Sequence, residues 1–239
     1  MKMFALIILG LIVSYCSFAD IINGYEKDLK KAEQSLLNLT NLLDKVSNSN
    51  SDEQYYRIKS HYQRAKQSLK VVRTFHSITA DLINTLWTRH PSFCDQINNI
   101  RNHNGLVTDI YISVIPKDRM KRNQFGTTNL DQTKDDPHTY QSSFGPNTVS
   151  VQIRECSDEQ MIQLLIHELG HVKYQVPNLS AYMDYFHTTY QHFRATDSFG
   201  HKKDDPSNLS VQKEMGLYQE SMKRKRKPGS ALDLTASNL

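Results

Sequence analysis

After its first residues the sequence has no further long apolar segment, and it has no general excess of positive charge. The first absence excludes a membrane-spanning helix beyond Val13, because such a helix needs about 20 apolar residues. The formal net charge is +4, but five basic residues lie together from Lys223 to Lys227, and the rest of the chain is mildly acidic. We therefore expect neither stable membrane insertion nor a nucleic-acid partner.

The one apolar run, Phe4 to Val13, predicts a signal peptide covering residues 1–19. Lys2 supplies the positive start, and Ser17-Phe18-Ala19 has the small-x-small pattern of a cleavage site. The run is too short for a transmembrane anchor. A lipid anchor on Cys16 is a weaker alternative. The expected location is secreted or periplasmic.

Cysteine is scarce, and cleavage would leave only Cys94 and Cys156. Neither belongs to a C-x-x-C pair, so a cysteine-ligated zinc site is not indicated. In an exported protein an even pair predicts a disulfide bond. On the chain-entropy account, closing this loop would stabilise the fold by about 4 kcal/mol. Two free buried thiols are the alternative.

The residues His167-Glu168-Leu169-Gly170-His171 form an HExxH motif. Two histidines four positions apart lie on one face of a helix, where both can reach one zinc ion at roughly 2.0–2.1 Å. Glu168 points about 100° round the helix, which suits a base that hydrogen-bonds a water on the metal. This combination is typical of a peptide-hydrolysing centre.

The flanking sequence predicts the helix that this motif requires. Ser157-Asp158-Glu159-Gln160 matches a capping box, the following residues are apolar on nearly every side, and Pro177 ends the pattern soon after Gln175. Such a helix is expected to be buried, and Gly170 would let another element pack close to it. A chance match with two core histidines is the alternative.

From about Asn147 to Val176 the chain resembles the zincin superfamily of zinc metallopeptidases. The resemblance implies a zinc ion on His167 and His171, with Glu168 as general base. It also implies an edge strand before the motif helix, and Asn147 to Ile153 alternates polar and apolar residues as a strand does. Tyr174 and Pro177 stand where metzincins have glycine and histidine, so that subgroup is excluded.

A catalytic zinc ion normally has three protein ligands. Glu214, on a helix expected from about Ser207 to Met222, is the first candidate for the third ligand because gluzincins use a downstream glutamate. The match is positional only, since the N-E-x-x-S-D sequence is absent. The other candidates are His201, His187, His192, Asp184, Asp197, Asp204 and Asp205.

The remaining segments predict an α+β fold with a zincin-like catalytic core and an N-terminal antiparallel helical hairpin. A heptad seam runs from Tyr25 to Val46 and resumes from Tyr55, separated by a polar turn at residues 47–51. The hairpin would span residues 20–92, the core 93–222, and a basic, disordered tail 223–239. A strand is expected at Asp109 to Ile115, a long loop or irregular hairpin at 117–146, and an aromatic helix at about 180–194.

These features predict an exported zinc-dependent metallopeptidase, acting on a peptide or protein through a zinc-bound water. Two alternatives stay open. One is a non-catalytic binding or adhesion module that uses the coiled-coil hairpin as its working surface. The other is a zinc amidase that acts on a non-peptide substrate.

Overall fold

The computed structural model describes residues 20–47, 52–102, 105–120, 124–132, 140–179, 181 and 205–226. Three segments that the sequence predicts lie outside these residues: the signal peptide, nearly all of the aromatic helix and the end of the basic tail. The described part is an α+β fold. Its helices are α1 (Glu26–Ser47), α2 (Asp52–Arg89), α3 (Pro91–Asn98), α4 (Asp158–Gln175) and α5 (Pro206–Arg226). None of the described helices is long and apolar enough to cross a membrane.

The main sheet has four strands in the order β1, β2, β7, β3: β1 (Ile21–Asn23), β2 (Asp109–Ile115), β7 (Thr148–Arg154) and β3 (Gly126–Asn129). The first three strands are parallel, and β3 pairs antiparallel with β7. The predicted strand at Asp109 to Ile115 is confirmed. The short strand β1, which the sequence did not predict, extends the sheet beyond it.

The segment predicted as a loop or irregular hairpin contains β3 and three very short strands: β4 (Asp131–Gln132), β5 (Tyr140–Ser142) and β6 (Gly145–Pro146). The last three form a small antiparallel sheet. Its Ser142 hydroxyl lies 2.7 Å from that of Thr148, and Phe144 stacks on Tyr111 of β2. The small sheet is thereby fixed to the main one.

Two helices pack on one face of the main sheet. The C-terminal part of α2 contacts β1 and β2, α4 contacts β7 and β3, and the two helices touch each other. Leu86 of α2, Ile112 of β2 and Leu165 of α4 are fully buried in the shared core. Burial of such a side chain stabilises the fold by about 1.5–3 kcal/mol. The core therefore holds α4 rigidly against β7 and β3.

The helix α1 contacts α2 along its length but buries none of its own residues. Glu26, at the start of α1, pairs with His76, and Glu33 pairs with Arg73. These contacts join the first turns of α1 to the second half of α2, and α2 in turn packs on the main sheet.

Two details differ from the sequence prediction. Ser157 occupies the N-cap of α4 but makes no capping bond with its side chain, because its hydroxyl donates to the Gln160 side chain instead. In addition, α5 continues to Arg226, so part of the basic run expected to be frayed is helical.

Candidate functional site

The HExxH residues lie in the middle of α4, as the sequence predicted, and all five are buried. Leu169 of the motif and the flanking Leu165 and Val172 are fully buried in the core. Gly170 faces α5, and a Cβ atom there would lie only 3.1 Å from the Cα atom of Val211. The close packing that Gly170 was expected to permit is therefore a contact between α4 and α5.

The two histidines converge on one point. Their Nε2 atoms are 3.3 Å apart, and the rings meet nearly edge to face. Both residues are less than a tenth exposed. On the other side of the His171 ring, Nδ1 lies 3.0 Å from the hydroxyl oxygen of Ser207, at the start of α5. Helix α4 and the start of helix α5 thus hold the two histidines in place.

Glu168 points toward β3, the last strand in the order of the main sheet. Thr128 of β3 places its hydroxyl oxygen 2.7 Å from the carboxylate Oε2 of Glu168 and 3.1 Å from the Glu168 carbonyl oxygen. Gly126 of β3 passes so close that an added Cβ atom would lie 2.4 Å from Oε1. The carboxylate therefore occupies a defined position beneath this strand.

Burial raises the pKa of Glu168 to about 7, and the hydrogen bond from Thr128 partly opposes that rise. A carboxyl group with a pKa in this range changes its protonation readily near neutral pH. Such a group is suited to accept and return a proton.

The predicted edge strand before the motif helix is present as β7, but it is not at the edge. β7 lies between β2 and β3, and its first four residues are buried. Among the described strands, the edge position beside the motif helix belongs to β3. The alternation of polar and apolar residues in β7 did not reveal that the strand is central in the sheet. The polar Ser150, which the alternation would place at the surface, is also buried.

The structure does not bring Glu214 to the two histidines. Glu214 is 5% exposed, and its carboxylate accepts a short hydrogen bond from Lys173. It lines a cavity of about 270 Å³ together with Phe93 and Tyr218. The reason is the register of α5 on α4, which sets Ser207 beside His171 and Glu214 beside Lys173.

Within the described ranges, no group of three or more His, Cys, Asp or Glu residues could hold a metal ion. Asp205 caps α5, and its carboxylate accepts hydrogen bonds from the backbone N–H and the hydroxyl of Ser207. The other candidates for a third ligand, His187, His192, His201, Asp184, Asp197 and Asp204, lie outside the described residues.

Both remaining cysteines are free in the structure, so the predicted disulfide bond is not formed there. Cys94 is fully buried in the core, and burial raises the pKa of its thiol to about 12. Burial also raises the pKa of Cys156. Since the thiolate is the reactive form in disulfide exchange, both residues are poorly suited to that reaction in the folded protein.

The sequence did not identify Gly126, Thr128 or Ser207 as members of the site. The start of this helix was predicted at about Ser207, and the order of Asp205, Pro206 and Ser207 is typical of a helix start, but the sequence does not show that Ser207 lies beside His171. Nothing in the local sequence around Thr128 connects it with Glu168. Comparisons of the chain with protein-family models, with curated proteins and with solved structures found no match.

Proposed function

We propose that this chain is an exported zinc metallopeptidase with a zincin-like core, in which His167 and His171 hold zinc and Glu168 is the general base. The observation that carries the proposal is the convergence of two buried histidine Nε2 atoms, 3.3 Å apart. The residue that follows His167, Glu168, has a buried carboxylate that contacts β3. The substrate class is a peptide or a protein.

The separation of the two nitrogen atoms fits a zinc ion. Two ligands at roughly 2.0–2.1 Å from a tetrahedral zinc are about 3.3–3.4 Å apart. The His167 and His171 rings meet this requirement without rearrangement. A direct hydrogen bond between the rings would give a similar separation, so zinc content, rather than distance, is the decisive test.

When bound, zinc would polarise the scissile carbonyl group and the attacking water. The contribution of the chain is the handling of the proton. The Glu168 carboxylate accepts a proton from the attacking water and returns it to the leaving amine. Thr128 and Gly126 hold that carboxylate in one position, so little reorganisation is needed when the proton moves.

The position of β3 supports an extended peptide as substrate. β3 pairs with β7 on one side and ends the strand order of the main sheet on the other. An exposed strand edge can bind an extended peptide through main-chain hydrogen bonds. A peptide on this edge would lie next to Gly126 and Thr128, the residues that contact Glu168. The zincin resemblance also implies a substrate-binding edge strand, although the sequence placed that strand at Asn147 to Ile153.

The third zinc ligand is not fixed by these contacts. Glu214 would have to leave Lys173 and change its position to reach His171. A carboxylate that is 5% exposed and already ion-paired gains little from such a move. The residues outside the described ranges include three histidines and three aspartates that could complete the site.

A binding module remains the second candidate, and one observation favours it. In α1 and α2, which we propose form an antiparallel helical hairpin, Leu37, Leu42 and Tyr56 are between 45% and 67% exposed. A contiguous apolar patch at the surface often marks a contact site, and in this candidate these three side chains would belong to one. If the chain is a binding module, the hairpin would be the surface that contacts the partner, and Glu168 would not be required for binding.

The Glu168→Gln variant tests the proposed peptidase. An amide cannot accept the proton, so we expect zinc content equal to that of the wild type and almost complete loss of peptide cleavage in a broad peptide library. Glu53→Gln, the same change at an exposed position of α2, is the matched control and should keep full cleavage. Undiminished cleavage by Glu168→Gln would overturn the mechanism.

A further inference from the structure

The start of α5 lies against the ring of His171. Asp205 is the N-cap of this helix, since its carboxylate Oδ1 accepts a hydrogen bond of 2.8 Å from the Ser207 backbone N–H. Its carbonyl oxygen accepts from the backbone N–H groups of Asn208 and Leu209. Pro206 takes the first helical position, where its missing N–H is not needed.

The same Asp205 oxygen accepts a second hydrogen bond, of 2.7 Å, from the Ser207 hydroxyl. That hydroxyl oxygen is 3.0 Å from Nδ1 of His171. Ser207 is fully buried and His171 is 4% exposed. A chain of hydrogen bonds, buried at Ser207 and His171 and part-buried at Asp205, therefore connects the capping carboxylate, a hydroxyl and an imidazole ring.

The donors in this chain can be assigned by counting hydrogens. An ionised carboxylate only accepts, and a serine hydroxyl has a single hydrogen. Ser207 donates that hydrogen to Asp205, so its oxygen can only accept from His171. Nδ1 of His171 must then carry the ring proton, and Nε2 presents its lone pair toward His167.

We propose that Asp205 and Ser207 are positioning residues that hold His171 in the Nδ1–H tautomer, with Nε2 directed at the zinc position. The role in zinc binding rests on the proposed function, whereas the tautomer does not. Loss of such a supporting partner typically weakens metal binding by about 10–100-fold. The helix cap and the metal site therefore share one carboxylate.

Ser207→Ala tests this assignment. The change removes the hydroxyl but keeps the backbone N–H that Asp205 caps, so α5 should still form. Ser210→Ala makes the same change elsewhere on α5 and is the matched control. Ser207→Thr restores a hydroxyl and should restore the wild-type behaviour.

The first measurement is ¹H–¹⁵N NMR of the imidazole nitrogens in the full mature chain after zinc removal with a chelator. At about pH 8 a histidine with the reference pKa is neutral. We expect the Nδ1–H form of His171 in the wild type and in Ser210→Ala, and its loss in Ser207→Ala. The second measurement is zinc affinity, which should fall about 10–100-fold in Ser207→Ala and remain at the wild-type value in Ser210→Ala.

An Nε2–H tautomer for His171 in the wild type would overturn the proposal. An unchanged tautomer in Ser207→Ala would overturn it as well. If the tautomer behaves as expected but no form of the protein binds zinc, the positioning of His171 stands and the proposed peptidase function fails. The proposed positioning of His171 and the proposed peptidase function can therefore be refuted independently of each other.

Discussion

Gly126→Ala is the substitution that acts most directly on Glu168, the proposed general base, while leaving both histidines in place. A Cβ atom at this position would lie 2.4 Å from Oε1 of Glu168 and 2.9 Å from its Cγ and Cδ atoms. Ordinary contact begins near 3.5 Å, so the carboxylate must move by about 1 Å. Its other oxygen is held by Thr128, and the move would break or lengthen that hydrogen bond.

Two consequences follow for Gly126→Ala. Overpacking a filled site destabilises a fold by about 1–3 kcal/mol, which lowers the Tm of a chain of this size by roughly 2–4 °C per kcal/mol. A displacement of about 1 Å in a catalytic group lowers the rate by about 100-fold. Zinc content should not change, because the three atoms nearest to the added Cβ belong to Glu168 and not to His167 or His171.

Gly216→Ala is the matched control for this experiment. It makes the same change on an exposed turn of α5, where an added Cβ atom would meet nothing within 4 Å. Alanine is a better helix former than glycine by about 1 kcal/mol, so this variant should be slightly more stable and fully active. Calorimetry and cleavage of the peptide library provide the readouts. A Gly126→Ala variant with wild-type stability and cleavage would refute the close contact with Glu168.

Three further predictions concern buried ionisable groups. The Glu214→Gln variant should bind as much zinc as the wild type. It should lose about 2 kcal/mol of stability, because the substitution removes the carboxylate that pairs with Lys173. Loss of zinc on elemental analysis would instead identify Glu214 as a ligand. In the zinc-free protein, the raised pKa of Glu168 means that the folded state holds this proton more tightly than the unfolded state. The contribution of Glu168 to stability should therefore be fully present below its unfolded pKa of 4.5 and fall by about 3 kcal/mol as pH rises through about 7. Equal pH profiles of wild type and Glu168→Gln in denaturant titrations would contradict this. Cys94, which is fully buried, should resist alkylation until the protein unfolds, and a Cys94–Cys156 linked peptide in a non-reduced digest would show that the bond forms after all.

The sequence predicted the elements whose pattern is strong and local. The apolar run after Ser157 and the proline at 177 defined α4, and the alternation in Asp109 to Ile115 defined β2. The spacing within His167 to His171 placed two imidazoles on one helical face. These features depend on short-range periodicity, which a sequence records directly.

The rest of the site depends on how elements pack, and the local pattern does not record that. The contact between Thr128 and Glu168 spans 40 positions and comes from a strand of four residues. Glu214 was chosen by its place in the order of elements, but the register of α5 sets it beside Lys173. The register of α5 on α4 is fixed by packing contacts such as that of Gly170 with Val211. Such a contact between two helices cannot be read from the sequence of either helix alone.

The central claim is that His167 and His171 together hold zinc. The direct measurement is the zinc content of the purified protein by elemental analysis, in the wild type and in a variant with both histidines replaced by alanine. Far-UV circular dichroism should accompany it, to show that the variant keeps its helices. The account predicts one zinc per chain in the wild type and none in the folded double variant. Equal zinc content in the two proteins would contradict it.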